Sequence, residues 1–171
     1  MRQVFPFLMA VLLTTQAAAG PTLDVGETAP DWTLAHPDGS RVALHADSAG
    51  SVAVVLFWAT WCPFCRTLMP HLQKLADEFA GQPVHFYALN VWEDGDPAAH
   101  MRERGYSFEL LLAAEPAARA WGVKGTPGLF VVDADHRVRY VRRSGEDDMD
   151  VEIAVREMLK SMLPRPGDGA H

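Results

Sequence analysis

The pattern of apolar and polar positions is clearest in the middle of the chain, where it predicts a strand, a helix and a second strand. Residues 51–58 form a run of β-branched, aliphatic and aromatic side chains, which is typical of a strand buried on both faces. Apolar side chains then recur at helical spacing over residues 63–80, and Gly81 is placed to end that helix. Residues 84–91 form the second strand. Such a unit is normally parallel, with a right-handed crossover.

Shorter elements flank this unit on both sides. Residues 32–44 predict two short strands around the turn at 36–39, because Pro-Asp-Gly is a strong turn signal. The order of strands and helices indicates one compact alternating domain. After the second strand the pattern predicts a helix (97–104), an apolar stretch (108–112), a helix (116–121), a hairpin (128–132 and 138–142) and a closing helix (about 150–163) whose core face is Val151, Val155, Leu159 and Met162.

The two ends of the chain are predicted to lie outside the folded domain. Residues 1–19 have a positive start, an apolar stretch over 4–13 and an Ala-x-Ala cleavage site near Ala19, as in a secretory signal peptide. The apolar stretch is shorter than the roughly 20 residues that span a bilayer, so an uncleaved anchor is the weaker alternative. We therefore expect a periplasmic protein with one domain over residues 20–163 and a disordered tail over residues 164–171.

Composition and charge exclude several classes of protein. Hydrophobic residues make up 49% and charged residues 22%, which is ordinary for a globular protein and unlike a disordered chain. The 15 Lys and Arg against 22 Asp and Glu give a net charge of −7, so no nucleic-acid partner is expected. Two cysteines cannot staple a disulfide-rich miniprotein or build a site from four thiolates.

Both cysteines lie where the first strand passes into the helix, in the sequence Cys-Pro-Phe-Cys. Pro63 suits the first helical position, which makes Cys62 the N-cap and points free backbone N–H groups at its sulfur. Those dipoles favour the thiolate, the form that attacks a disulfide. Cys65 lies one turn further along and is expected to be less exposed. The pattern therefore predicts Cys62 as the attacking residue and Cys65 as the resolving residue of a redox-active disulfide.

Two other roles for the pair stay open. One is a purely structural disulfide, although so small a ring stabilises a fold by only about 2 kcal/mol, against about 5 kcal/mol for a 100-residue loop. The other is a copper carrier, in which the cysteines hold Cu(I) together with Met69 or His71. The helical pattern instead places Met69 in the core and His71 on the solvated surface. No metal and no cofactor beyond the disulfide are therefore expected.

Three segments, in the right order, resemble thioredoxin-fold proteins. Residues 57–65 (FWATWCPFC) look like the active-site segment of that fold. Residues 25–34 are similar to the opening of its exported TlpA-like, or redoxin, branch, and residues 121–127 (WGVKGTP) match that branch's G-V-x-G-x-P block. The resemblance covers residues 25–163. It implies an α/β thioredoxin fold: a central mixed β-sheet with helices on both faces, an N-terminal β-hairpin extension and a central insertion over about residues 93–115.

The resemblance also implies roles for residues around the pair. Pro127 corresponds to a cis-proline that faces the disulfide, and the backbone of Thr126 pairs with an extended substrate chain. Trp61 is expected to line the sulfur site and Trp58 to pack in the core. Pro70 is expected to kink the helix. The substrate-binding candidates are therefore Thr126, Pro127 and Trp61.

Two acidic residues found in related patterns are missing here. Leu56 stands where thioredoxins carry a buried Asp, and Leu68 where several reductases of cytochrome c maturation carry a Glu. Without an acid, the pKa of Cys65 should stay high, and release of a mixed disulfide should be slow near pH 7. Glu93, in the loop after the second strand, is a candidate substitute, and the alternative is an ordinary solvated loop acid.

Together these features predict a periplasmic thiol:disulfide oxidoreductase that works as a reductant. Pro63 and Phe64 carry no charge that would drive the pair to the oxidising extreme, and an oxidant is the alternative. Peroxide reduction is not expected, because peroxiredoxins carry a Thr three residues before the reactive Cys and Ala59 stands there. The resemblance implies exported protein substrates, with apocytochrome c as a candidate, and a membrane electron donor that recharges the pair. We expect a monomer whose insertion carries partner recognition.

Overall fold

The computed structural model describes residues 23–163. The predicted signal peptide over residues 1–19 and the predicted tail over residues 164–171 lie outside the described residues. Over residues 23–163, every helix is too short or too polar to span a bilayer.

In chain order the elements are β1 (Thr33–Ala35), β2 (Arg41–Ala43), α1 (Leu44–Asp47), β3 (Val52–Trp58), α2 (Pro63–Glu78), β4 (Val84–Asn90), α3 (Pro97–Arg104), β5 (Glu109–Leu111), α4 (Glu115–Ala120), β6 (Gly128–Val132), β7 (Val138–Val141) and α5 (Asp148–Met162).

Five strands form the central sheet, in the order β5-β4-β3-β6-β7. β3 runs parallel to β4 and β4 runs parallel to β5, whereas β6 is antiparallel to both β3 and β7. β1 and β2 form a separate antiparallel hairpin. The mixed sheet and the N-terminal hairpin are therefore confirmed. The segment expected to be an insertion supplies α3 and the short edge strand β5.

β3 is the central strand, and all seven of its side chains are buried, as its apolar sequence predicts. Because successive side chains of a strand point to opposite faces, β3 contributes to two separate cores. Helices α2 and α5 cover one core, and the hairpin with α1 and α4 covers the other, which confirms helices on both faces. The first core receives Val52, Val54, Leu56 and Trp58, and the second receives Ala53, Val55 and Phe57.

α2 and α5 are joined by an ionic network along their shared edge. Buried Glu152 lies 2.5 Å from Nδ1 of His71 and accepts a hydrogen bond from Nη2 of Arg156 at 2.7 Å. Hydrogen bonds from Arg156, opposed by burial and supported by His71 and Lys74, lower the pKa of Glu152 to about 2. The prediction of a solvated His71 is wrong, because α5 packs beside it and the pattern of α2 alone cannot show that neighbour.

Two details of the helices differ from the sequence prediction. α5 begins at Asp148, two residues earlier than predicted, because Asp147 caps it and its carboxylate accepts a backbone N–H of the first turn at 2.8 Å. Met162 is only partly buried, whereas Leu163 belongs to the core. α2 continues through Pro70 without ending there.

The buried face of α5 gives a test of the fold. Leu159→Ala should lower the free energy of unfolding by about 2–5 kcal/mol, because it leaves a cavity between α5 and the sheet. Ile153→Ala is the matched control on the same helix: this side chain is 50% exposed, and its loss should cost less than about 1 kcal/mol. Urea denaturation followed by circular dichroism measures both, and equal losses would contradict the assigned buried face.

Candidate active site

The first turn of α2 holds the sulfur of Cys62 at the helix N-terminus. Cys62 is the N-cap, with an extended backbone (φ −75°, ψ 112°), and its Sγ accepts a hydrogen bond from the Cys65 N–H at 3.2 Å. Pro63 lies in the first turn, where its missing N–H leaves no donor unpaired. The predicted cap is therefore confirmed. A sulfur in this position is stabilised as a thiolate when the pair is reduced.

Cys62 and Cys65 are joined in a disulfide, with Cα atoms 5.3 Å apart. The two residues are 1% and 0% exposed, and both belong to the apolar cluster that contains Leu68. Cys65 was predicted to be less exposed than Cys62, and in the oxidised pair the two differ by only 1%, because both are buried.

A groove of about 820 Å³ connects the cysteine motif with the segment that precedes β6. Phe64, which stands between the two cysteines, lines this groove together with Thr126 and Pro127. The Thr126–Pro127 peptide bond is cis, as the resemblance implies. The lining also includes residues 122–125 and 128–130, Val141, Arg142, and residues 144–148, which lead into α5. The fold thus brings two of the three expected substrate-binding residues to the same groove as the motif.

Three aromatic side chains stay exposed near the motif: Trp61, Phe64 and Trp92, which we call the aromatic rim. Phe64 is 66% exposed. The Trp61 Nε1–H donates to the carbonyl oxygen of Trp92 at 2.7 Å, which ties the motif to the loop after β4. Trp61 is therefore exposed on the rim and does not line the groove. Trp58 is fully buried, as predicted.

Glu93 is the hydrogen-bonding centre of the loop beside the motif. Its carboxylate accepts from both the backbone N–H and the hydroxyl of Thr60, at 3.0 and 2.5 Å, and from Nδ2 of Asn90 at 2.6 Å. It also accepts the backbone N–H groups of Asp94 and Gly95. Glu93 thereby ties the residue two positions before Cys62 to the end of β4. Sequence reasoning missed this role, because the partners at 60 and 93 are far apart along the chain.

The hydrogen bonds to Glu93 also decide its chemistry. Partial burial raises the pKa of this carboxyl, but the bonds from Thr60, Asn90 and Gly95 outweigh burial and lower the pKa to about 2. A carboxylate with so low a pKa is a weak proton acceptor at neutral pH. Glu93 is therefore neither a solvated loop acid nor a suitable base for Cys65; it positions the loop.

The immediate surroundings of the pair are apolar. Leu56 and Leu68 are buried in the cluster that contains Cys65, so the two positions where related patterns place an acid add only packing. Met69 is also fully buried in that cluster, as predicted, and His71 is engaged with Glu152. The two residues considered as a third copper ligand thus have structural roles, and no observation favours the copper carrier.

The fold and the cysteine pair together define the class, a protein of thioredoxin fold. The thioredoxin domain of a thiol-disulfide oxidoreductase from Bacteroides vulgatus has a similar structure, with a TM-score of 0.70 and 22% sequence identity. The match covers 81% of this chain and 99% of that one. At this level of identity the likeness shows the fold.

Sequence comparison shows to which family the chain belongs. The chain is 31% identical over 119 residues to the thiol-disulfide oxidoreductase ResA of Geobacillus thermodenitrificans, covering 68% of each chain. It is 32% identical over 136 residues to the thiol:disulfide interchange protein DsbE of Allochromatium vinosum, covering 77% of this chain and 72% of that one. The profile of the AhpC/TSA family matches residues 25–141. The chain therefore belongs to the AhpC/TSA family and, within it, to the thiol-disulfide oxidoreductases similar to ResA and DsbE.

Glu93→Gln tests the positioning role through the pH dependence of stability. The folded pKa of about 2 lies below the ordinary value of 4.5, so ionised Glu93 stabilises the fold above pH 4.5, and this contribution is lost as the pH falls towards 2. The variant should lose about 1–3 kcal/mol of unfolding free energy at pH 7 and show a smaller drop between pH 7 and pH 3 than the wild type.

Asp94→Asn is the control for this experiment, because Asp94 is the exposed neighbour of Glu93 in the same loop. It should keep the wild-type stability and the wild-type pH dependence. Urea unfolding at several pH values measures all three proteins. A Glu93→Gln variant with the wild-type drop between pH 7 and pH 3 would contradict the assigned hydrogen bonds.

Proposed function

We propose that this protein reduces disulfides of exported proteins in the periplasm, with Cys62 attacking and Cys65 resolving. The observation that carries the proposal is the place of Cys62, a helix-capping sulfur in a motif whose Phe64 shares a groove with Thr126 and Pro127. The location rests on the signal peptide predicted over residues 1–19. The names of the relatives, oxidoreductase and interchange protein, agree with this chemistry.

In the proposed reaction, the reduced pair passes two electrons to a client disulfide. The Cys62 thiolate attacks one client sulfur, which forms a mixed disulfide and releases the other client sulfur as a thiolate. The Cys65 thiolate then attacks the sulfur of Cys62, which breaks the mixed disulfide and frees the second client sulfur. The client thiolates take up protons, and the Cys62–Cys65 disulfide closes. A membrane electron donor must then return two electrons to the pair.

The geometry of the first turn supports the proposed order of attack. The sulfur of Cys62 caps α2 and accepts the Cys65 N–H at 3.2 Å, and the helix N-terminus stabilises its thiolate. Cys65 lies within the helix, where its own sulfur has no equivalent donors at a helix end. Cys62 is therefore the better nucleophile at neutral pH, and Cys65 acts once a mixed disulfide has formed.

The apolar surroundings of the pair support the reducing direction. In a strongly oxidising cysteine pair the reduced form is stabilised, usually by charges or hydrogen-bond donors that stabilise the thiolate. Leu56 and Leu68 supply neither, and Pro63 and Phe64 are uncharged. The helix N-terminus favours the thiolate of Cys62. The reduced pair is therefore weakly stabilised, as expected for a reductant.

The groove suits an extended segment of a client protein. The backbone of Thr126 would pair with that segment as an added strand, and the aromatic rim would cover apolar side chains next to the client cysteine. Apocytochrome c is the candidate client that the family resemblance implies. We expect a monomer that binds protein substrates and no nucleic acid, consistent with its net charge of −7.

Trapping of clients tests the roles of the two cysteines. Cys65→Ser should accumulate mixed disulfides with client proteins, because Cys62 still attacks and no resolving thiolate follows. Cys62→Ser is the matched variant and should trap far fewer clients, because the remaining thiol lacks the capping position. Non-reducing gels and mass spectrometry of the exported proteins measure both. Equal trapping by the two variants would contradict the assigned roles.

A redox titration of the pair tests the direction of transfer. We expect a midpoint potential close to the thioredoxin value of about −270 mV, far from the DsbA value of about −120 mV. Titration of the purified protein against glutathione or dithiothreitol buffers, followed by thiol alkylation, gives the potential. A value near that of DsbA would overturn the proposed reductant and indicate an oxidant.

Phe64→Ala tests the groove as the client-binding surface. Loss of this aromatic contact should cost about 1.4 kcal/mol of client binding, which corresponds to about a tenfold lower kcat/KM with a protein disulfide. The kcat/KM for a small aromatic disulfide, which does not fill the groove, should change less than about twofold. Ile153→Ala removes an exposed apolar side chain elsewhere and should alter neither rate. An equal loss with both substrates would argue against client binding in the groove.

A further inference from the structure

A second group of chemically active side chains lies away from the cysteine motif. Asp47 at the end of α1, His85 in β4 and Glu109 at the start of β5 come together on one side of the sheet; we call them the α1–β4–β5 cluster. Nδ1 of His85 lies 3.1 Å from Oε1 of Glu109 and 3.5 Å from Oδ2 of Asp47. The three donor atoms lie within 4.8 Å of one another, and all three side chains are partly exposed.

The fold holds these side chains in place through Tyr87. β4 and β5 are parallel, and Tyr87 is paired with Glu109, so His85 and Tyr87 share one face of the sheet beside Glu109. The His85 ring stacks on the Tyr87 ring with centroids 5.5 Å apart and an interplanar angle of 5°. The Tyr87 hydroxyl donates to Oδ2 of Asp47 at 2.5 Å. The buried tyrosine thus orients both the imidazole and one carboxylate.

The spacing of the donor atoms suits a metal ion. Zinc binds imidazole nitrogen and carboxylate oxygen at about 2.0–2.2 Å, so neighbouring ligands of a tetrahedral site lie about 3.4 Å apart. The separations of 3.1 and 3.5 Å around His85 already bracket that value. Two carboxylates also balance the charge of a divalent ion. The mixed nitrogen and oxygen donors favour a first-row transition metal over Cu(I), which prefers sulfur.

We propose that the α1–β4–β5 cluster binds one divalent transition metal ion, with Zn²⁺ as the ion to test, through Nδ1 of His85, Oδ2 of Asp47 and Oε1 of Glu109. Three protein ligands leave a fourth position for water. Tyr87 supports the site by orienting the carboxylate of Asp47, as partners of metal ligands commonly do. The bound ion would join α1 to the two strands at one edge of the sheet.

This site is separate from the cysteine pair. His85 is paired with Ala53 of β3, five positions before Trp58, where the strand leads to the motif. At about 3.3 Å per residue, this places His85 about 16 Å from that end of the sheet. The thiols therefore contribute nothing to the cluster. Metal binding and disulfide exchange should be independent, and the inference does not rest on the proposed function.

Titration of the protein with ZnCl₂ in competition with a chromophoric chelator tests the site. The pair is kept as a disulfide so that thiolates cannot bind the metal. We expect one equivalent of Zn²⁺ per chain, binding more than about 100-fold weaker in His85→Asn and about tenfold weaker in Tyr87→Phe, since loss of a supporting partner typically costs 10–100-fold. Co²⁺ should give the visible absorption of a tetrahedral site in the wild type and not in His85→Asn.

Matched variants separate this site from other sources of binding. His36→Asn removes a histidine in the turn between β1 and β2 and should leave Zn²⁺ affinity unchanged. The double variant Cys62→Ser, Cys65→Ser should also bind as the wild type does. Glu109→Gln removes a second proposed ligand and should also lower the affinity for Zn²⁺. It serves as the test variant if His85→Asn folds poorly.

Three outcomes would overturn the proposal. The first is no Zn²⁺ binding by the oxidised wild type, which would leave the cluster as an ion pair between His85 and the two carboxylates. The second is undiminished binding in both His85→Asn and Glu109→Gln. The third is loss of binding in the double cysteine variant, which would move the metal to the thiols.

Discussion

The burial of β3 on both faces is the constraint on which the rest of the structure depends. All seven side chains from Val52 to Trp58 lie in one of two cores, so the strand cannot shift along its neighbours without disturbing both. The point where β3 ends is fixed with it, and α2 begins five residues later. The cap geometry of Cys62 therefore rests on packing, and the hydrogen bond from the Cys65 N–H refines a position that the cores have already set.

Two carboxylates with a pKa of about 2 help to hold the motif and the helix that follows it in place. Glu93 binds Thr60 just before the motif, and the guanidinium of Arg66 in α2 donates to the carbonyl oxygen of the same threonine at 2.9 and 3.1 Å. Glu152 holds α2 against α5 through His71. Both carboxylates are fully used as hydrogen-bond acceptors. Their low pKa values reflect structural support and do not mark proton-transfer groups.

Local sequence patterns were sufficient for most of the fold and for the cysteine motif. The apolar run of β3, the helical spacing of α2 and the proline after Cys62 each act over a few residues, so their outcome can be derived from the sequence alone. Contacts between distant segments could not be derived in this way. His71 meets Glu152 across 81 positions, Thr60 meets Glu93 across 33, and no periodicity encodes either contact. The family resemblance supplied the cis bond before Pro127, which composition and spacing do not reveal.

The fate of the Cys65 proton links the structure to the proposed chemistry. Leu56 and Leu68 occupy the positions where related proteins carry an acid, and Glu93 is held ionised by its own hydrogen bonds. In the proposed reaction, the thiol of Cys65 therefore gives its proton to water or to the departing client thiolate. Cys65 is fully buried in the oxidised pair, and in the proposed reaction the client thiolate leaves from the adjacent sulfur of Cys62. A leaving client thiolate, more basic as it separates, is thus the natural acceptor, which couples release of the client to closure of the disulfide.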